Sequence, residues 1–169
     1  AWSTPVGAQA VRQARVSAPD AFLPGTVVTE ETVAAFITQA GCGPVLAYIA
    51  DLLDERLRAR VTGERVDGAT LVLPVQSTDE AALWIGALQR TCAPATARLL
   101  GYTTFARAAA PLEVDALASS GLDLVCVPAS DRLDVVDQHP DTALVTAQAA
   151  AAHTLTTAWG VLVAAMSRD

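Results

Sequence analysis

A six-residue strand-like run, Thr70-Leu71-Val72-Leu73-Pro74-Val75, is followed after one residue by Ser77-Thr78-Asp79-Glu80, the pattern of a helix start. No other feature constrains the chain so strongly, because a sheet strand must turn almost at once into a helix. The Ser77 hydroxyl is placed to accept from the third helical amide while Glu80 reaches back, and Pro74 belongs at a sheet edge or a strand end. Ala81, Trp84, Ile85, Leu88 and Cys92 then recur on one helical face, so Trp84 and Cys92 should point inward before Pro94 ends the helix.

The remaining elements are read outward from that pair. Thr29 before Glu30 and Glu31 starts a helix whose face is Val33, Phe36, Ile37 and Ala40. Gly41-Cys42-Gly43-Pro44 interrupts it, and Pro44 suits the first turn of a second helix with Val45, Ile49, Leu52, Leu53 and Arg56 inward. The charge run from Asp54 to Arg60 reads as the solvated end of that helix, with arginines at its negative pole. Leu99 to Phe105, Gly121 to Cys126, Leu133 to Val136 and Ala143 to Ala147 read as further strands, and a last helix spans Ala150 to Met166. Strand-helix alternation is irregular, and the loops between Gly121 and Ala147 look too short for parallel crossovers. The expected fold is therefore α+β, an antiparallel sheet of about five strands with helices packed mainly on one face. Residues 1–21 read as a poorly ordered tail or linker and residues 22–169 as a single domain.

Composition narrows the chemistry. Of 169 residues 52% are hydrophobic and 17% charged, and the net charge of -7 disfavours nucleic acid and anionic lipid as partners. The eleven basic residues are all arginine, so Schiff-base chemistry, Ser-Lys dyads and a P-loop lysine are excluded. No apolar run reaches the roughly 18 residues that a membrane span requires. The chain opens on Ala1 rather than Met, as a form trimmed of a leader or an anchor upstream of Ala1 would.

Catalytic motifs are missing: there is no G-x-S-x-G, H-E-x-x-H, G-x-G-x-x-G or C-x-x-C. Of the two histidines, His153 sits near a helix start among Thr154, Thr156 and Thr157, and neither it nor His139 has neighbours that would orient a base. Asp131, Asp134, Asp137, His139 and Asp141 form the one oxygen-rich cluster, but their spacing is not that of a calcium loop, and a solvated hairpin explains them. No catalytic residue, metal or cofactor is assigned.

Three cysteines remain. Cys42 opening a helix (Cys42-Gly43-Pro44-Val45-Leu46-Ala47-Tyr48), a strand, a helix starting Ser77-Thr78-Asp79-Glu80-Ala81 and carrying Trp84 to Cys92, a strand bearing Cys126 and a closing helix make an order that resembles the extracellular sensor domain of actinobacterial PknH-type kinases and related secreted lipoproteins. The resemblance covers Phe22 to Met166 and implies an extracytoplasmic ligand-binding module with one disulfide, Cys92 with Cys42 or Cys126. The leading function is accordingly a non-catalytic extracytoplasmic sensor-like domain for a small-molecule or lipid-like ligand. An unevenly covered antiparallel sheet should leave a groove beside the last helix, with Trp159, Thr156 and Tyr102 as its amphipathic contacts. The alternative is an interaction or scaffold protein that buries the alanine-rich face of Ala147 to Ala165 against a protein partner or another copy. A second alternative is an enzyme using carboxylates with His153 or His139.

Overall fold

The computed structural model describes residues 27–63, 69–104, 106–107, 121–138 and 142–167. The expected tail at 1–21 lies outside them. Helix α1 (Glu30–Ile37) starts at a reciprocal cap: the Thr29 hydroxyl accepts from the Thr32 amide at 3.2 Å, and the Thr32 hydroxyl accepts from the Thr29 amide at 2.8 Å. Gly41, at φ 89°, turns the chain in a left-handed conformation that glycine adopts without strain, and α2 (Cys42–Thr62) follows directly. Strand β1 (Thr70–Val75) leads into α3 (Thr78–Arg90) as the sequence predicts, with the Ser77 hydroxyl accepting from the Glu80 amide at 3.1 Å. Glu80 reaches back one residue farther than the usual box, to the Gln76 amide at 2.7 Å. After α4 (Pro94–Ala97) come β2 (Tyr102–Thr103), β3 (Leu124–Pro128), a 3-10 turn (Ala129–Asp131), α5 (Arg132–Gln138), β4 (Thr142–Leu144), α6 (Ala147–Ala152) and α7 (Ala158–Met166).

The sheet overturns the antiparallel expectation. Among the described residues it has four strands in the order β2-β3-β1-β4, all parallel, with Leu71 opposite Leu124, Thr70 opposite Thr142 and Tyr102 opposite Leu124. The error lies in Leu133 to Val136, which is not a strand but the middle of α5: Val135 is buried while Leu133 is 74% exposed. With the turn and α5 between them, β3 and β4 have a crossover long enough to step over β1 and pair in parallel. Pro74 is tolerated in an inner strand because β4 pairs only Thr70 to Val72, so the proline lies where β4 has already ended. The long last helix is likewise two helices separated at residues 153–157.

Both sheet faces are covered, again unlike the one-sided packing expected. Leu71, Leu73, Val75, Leu124 and Cys126 face a core with α1, α2, α3 and Val163 of α7. On the opposite face Val72, Val125 and Val127 pack with Ala106 and with Val135 of α5. Alternate residues of β1 and β3 therefore serve the two cores. Among the described residues no single helix is long and apolar enough to cross a membrane.

Candidate functional site

The polar groups buried in the domain act as fasteners. Asp51, on the inner side of α2, receives the amides of Thr156 and Thr157 at 3.0 and 2.7 Å, the Thr157 hydroxyl at 2.7 Å, and a contact from His153 Nε2 at 2.8 Å. Burial alone would raise the pKa of this carboxyl, but the bonds from His153, Thr157 and Thr156 outweigh it and hold it at about 2. The His153 ring also sits edge-on to Tyr48, with centroids 4.9 Å apart. The carboxylate closes the break between α6 and α7, while the Thr157 hydroxyl caps α7 by accepting from the Gly160 amide at 3.1 Å. His153 therefore does have an orienting acid, 102 residues away in sequence, but Ser167, which lines a cavity of about 250 Å³ with it, donates its hydroxyl to the Val163 carbonyl at 2.8 Å. That pairing makes an anchor for α7.

A second buried carboxylate, Asp123 just ahead of β3, takes both guanidinium nitrogens of Arg60 at 2.8 and 2.9 Å, the Gly101 amide at 2.8 Å and Arg56 Nε at 3.4 Å. It ties the end of α2 to the amino edge of the sheet. Asp131, from the acidic cluster, is paired with Arg107 at 2.7 Å. His139 and Asp141 lie outside the described residues, and no metal-binding group is found among those described.

Two open surfaces stand out among the described residues. At the carboxyl edge of the sheet a cavity of about 310 Å³ is lined by Leu73, Pro74, Gln76, Glu80, Trp84 and Arg132, among others. The second surface is α7 itself, whose nine residues include no charged or hydroxyl side chain. Gly160 and Val163 pack inward, and a Cβ on Gly160 would stand 2.5 Å from the Asp51 carboxylate. Ala158, Val161, Leu162, Ala165 and Met166, at i, i+3, i+4, i+7 and i+8, all face outward. Val161, Leu162 and Met166 are 54%, 54% and 57% exposed. An exposed stripe at that spacing is a helix face without its cover.

The residues expected to form a groove sit on three different parts of the chain. Trp159 is half-buried, donates from Nε1 to the Thr91 hydroxyl at 3.1 Å and lines a shallow groove with Ala93, Thr96 and Leu162. Thr156 is spent on Asp51, and Tyr102 stands on the edge strand β2. The expected disulfide of Cys92 with Cys42 or Cys126 is not formed, and all three thiols are free. Cys126 lies sealed in the helix-side core, whereas Cys92 follows α3 half-buried, its thiol directed at the Gln89 carbonyl at 3.6 Å.

Residues 48–145, more than half the chain, match the model of a family described as GAP1-M, the GTPase-associated protein 1 middle domain. Two curated relatives, from Mycolicibacterium smegmatis strains ATCC 700084 / mc(2)155 and MKD8, are provisionally named ESX-1 scaffolding and assembly protein SaeB and are 41% and 40% identical over 107 residues. Those matches span 63% of this chain and 12% of each relative's length. No solved structure matches. The matches overturn the resemblance to PknH-type sensor domains and the sensor-like, ligand-binding lipoprotein reading built on it.

Proposed function

Because the chain belongs to the GTPase-associated protein 1 middle-domain family, we propose that it is a non-catalytic protein-interaction module that holds a partner protein within a larger assembly. One observation carries this reading: α7 is apolar on all sides, and only one side is covered. The names of the relatives, which speak of scaffolding and assembly, support it.

The partner is a protein that presents an amphipathic helix. Three half-exposed side chains in a row, with the groove of Trp159 and Thr96 beside them, match the spacing by which a helix seats its own apolar stripe. Covering Val161, Leu162 and Met166 contributes roughly 1 kcal/mol each, enough for a docking contact of moderate affinity. Asp51 supports the surface from below, since it fixes where α7 starts.

Site-specific photocrosslinking in cells tests the reading. A photoreactive residue replacing Leu162 should yield a discrete protein adduct, lost when Met166→Glu is added. The same residue replacing Leu133, which is still more exposed but lies on α5, should yield none. Absence of any adduct at position 162, or the same adduct from both positions, would refute docking through α7.

A further inference from the structure

The topology of the sheet leaves a second opening. The chain leaving β1 passes to α3 on the core that holds α1 and α2, whereas the chain leaving β3 passes to α5 on the opposite face. β1 and β3 are neighbours in the sheet, so their carboxyl ends form a switch point that neither connection covers. The 310 Å³ cavity lies there, with Leu73, Pro74 and Gln76 from the end of β1, Ala129 and Arg132 after β3, and Val145 and Thr146 after β4.

The chemistry of its walls selects an occupant. Glu80 is already engaged, with Oε2 accepting from the Gln76 amide and Oε1 from the Trp84 indole at 3.3 Å, so it does not call for a cation. Arg132 is exposed, lines the cavity and has no ion pair among the described residues. The Thr146 hydroxyl accepts from the Ala149 amide at 3.0 Å, which leaves its own O–H free to donate. A guanidinium without an ion pair among the described residues and a hydroxyl donor therefore face a cavity whose other walls include the apolar Trp84, Val45, Leu73, Pro74 and Val145 and the polar Gln76 with the already engaged Glu80. Phosphate is disfavoured, because neither Gln76-Ser77 nor Ala129-Ser130 has the glycine that lets a backbone close around it. The shared chemistry of what fits is a carboxylate on a short apolar body, and the volume suits one residue.

We infer that this cavity captures the C-terminal residue of a polypeptide, with Arg132 and Thr146 on the terminal carboxylate and the last, apolar side chain against Trp84 and Val145. The inference rests on the interaction-module reading but not on α7, which forms a separate surface. Arg132 forks onto a carboxylate with two parallel bonds, a geometry that an amidated terminus does not offer.

The test uses hexapeptides ending in leucine, with free or amidated termini, and N-acetyl-leucine as a single-residue acid. Binding is followed by isothermal titration and by the indole N–H resonance of Trp84, assigned with a Trp84→Phe variant. The free peptide should bind saturably and move that resonance, the amide should bind at least about tenfold more weakly, and Arg132→Met should weaken the free peptide by a similar factor. Arg132 is exposed, so circular dichroism should show the variant folded. Leu162→Glu should leave peptide binding unchanged, which separates this site from α7. Equal binding of acid and amide, an unmoved Trp84 resonance, or an indifferent Arg132→Met would overturn the inference. N-acetyl-leucine binding as tightly as the peptide would overturn the polypeptide source.

Discussion

Replacing Asp51 by asparagine removes a charge from the junction that holds α7, and the size of the effect can be worked from the structure. The native carboxylate has its pKa lowered from 3.8 to about 2: burial pushes it up, and the bonds from His153, Thr157 and Thr156 more than reverse that push. That lowering corresponds to roughly 2 to 3 kcal/mol of folding stability, since a tenfold change in proton affinity is about 1.4 kcal/mol. The sign follows from the direction. A carboxyl whose pKa is depressed by folding contributes fully above its unfolded value and loses that contribution as pH falls through its folded value, so the window runs from about pH 4 down to about pH 2. Asparagine keeps the volume and one acceptor, but its amide group now meets the donors of Thr156 and Thr157. Asp51→Asn should therefore cost about 2 to 4 kcal/mol near pH 7. Urea unfolding followed by circular dichroism measures it, and comparing the variant with the native chain at each pH cancels other carboxylates. The gap should narrow by roughly 2 kcal/mol between about pH 7 and about pH 2.5. A gap that stays constant with pH, or one below about 0.5 kcal/mol at neutral pH, would refute the argument that charge at Asp51 anchors α7.

Gly160→Ala should destabilise the domain by more than about 2 kcal/mol, because its Cβ would stand 2.5 Å from Asp51 Oδ1 and 2.7 Å from Asp51 Cβ; thermal melts against Ala164→Gly, a partly buried site on the same helix, separate this collision from loss of helix propensity. Native protein treated with a thiol reagent near neutral pH should label Cys42 and Cys92 first, while Cys126, fully buried and with its thiol pushed up to about 12 by burial, reacts only on unfolding; mass mapping of labelled peptides checks the order. Asp123→Ala should cost about 3 to 5 kcal/mol by leaving Arg56 and Arg60 without their buried acid, and adding Arg60→Met should recover part of that loss in a double-mutant cycle.

The local grammar of the fold was legible where a signal and its partner lie within one turn. Thr29, Ser77 and the Gly41 to Pro44 junction mark helix starts by their own chemistry, and the structure places caps at Thr29 and Ser77 and starts α2 at Cys42. Strand direction is a different kind of fact, because it depends on the length and path of the connection. Asp131-Arg132-Leu133-Asp134-Val135-Val136-Asp137 contains two adjacent valines that read as strand, yet the segment is helical and Val135 packs inward on Val72, Val125 and Val127 while Leu133 stays exposed. One misread element removed the crossover, and the parallel sheet disappeared with it.

The anchors were illegible for a related reason. Asp51 and His153 are 102 residues apart, and Asp123 meets Arg60 across 63. Nothing beside either acid in sequence distinguishes it from the solvated acids of α2 or the acidic cluster. What the sequence does contain is the consequence of such an anchor: a helix as apolar as Ala158 to Met166 cannot be oriented by its own hydrophobic pattern, because every face would bury equally well. Its rotation is decided instead at its ends and its closest approach, by Thr157 and Thr156 on Asp51 and by Gly160 against the same carboxylate. The outward stripe of Val161, Leu162 and Met166 is then set by polar bonds, so weakening those bonds should loosen the docking surface before it unfolds the domain. Hydrogen exchange supplies the test: in Asp51→Asn the amides of α7 should lose protection while those of β1 and β3 keep it, and uniform loss across both would show that α7 and the sheet open as one unit.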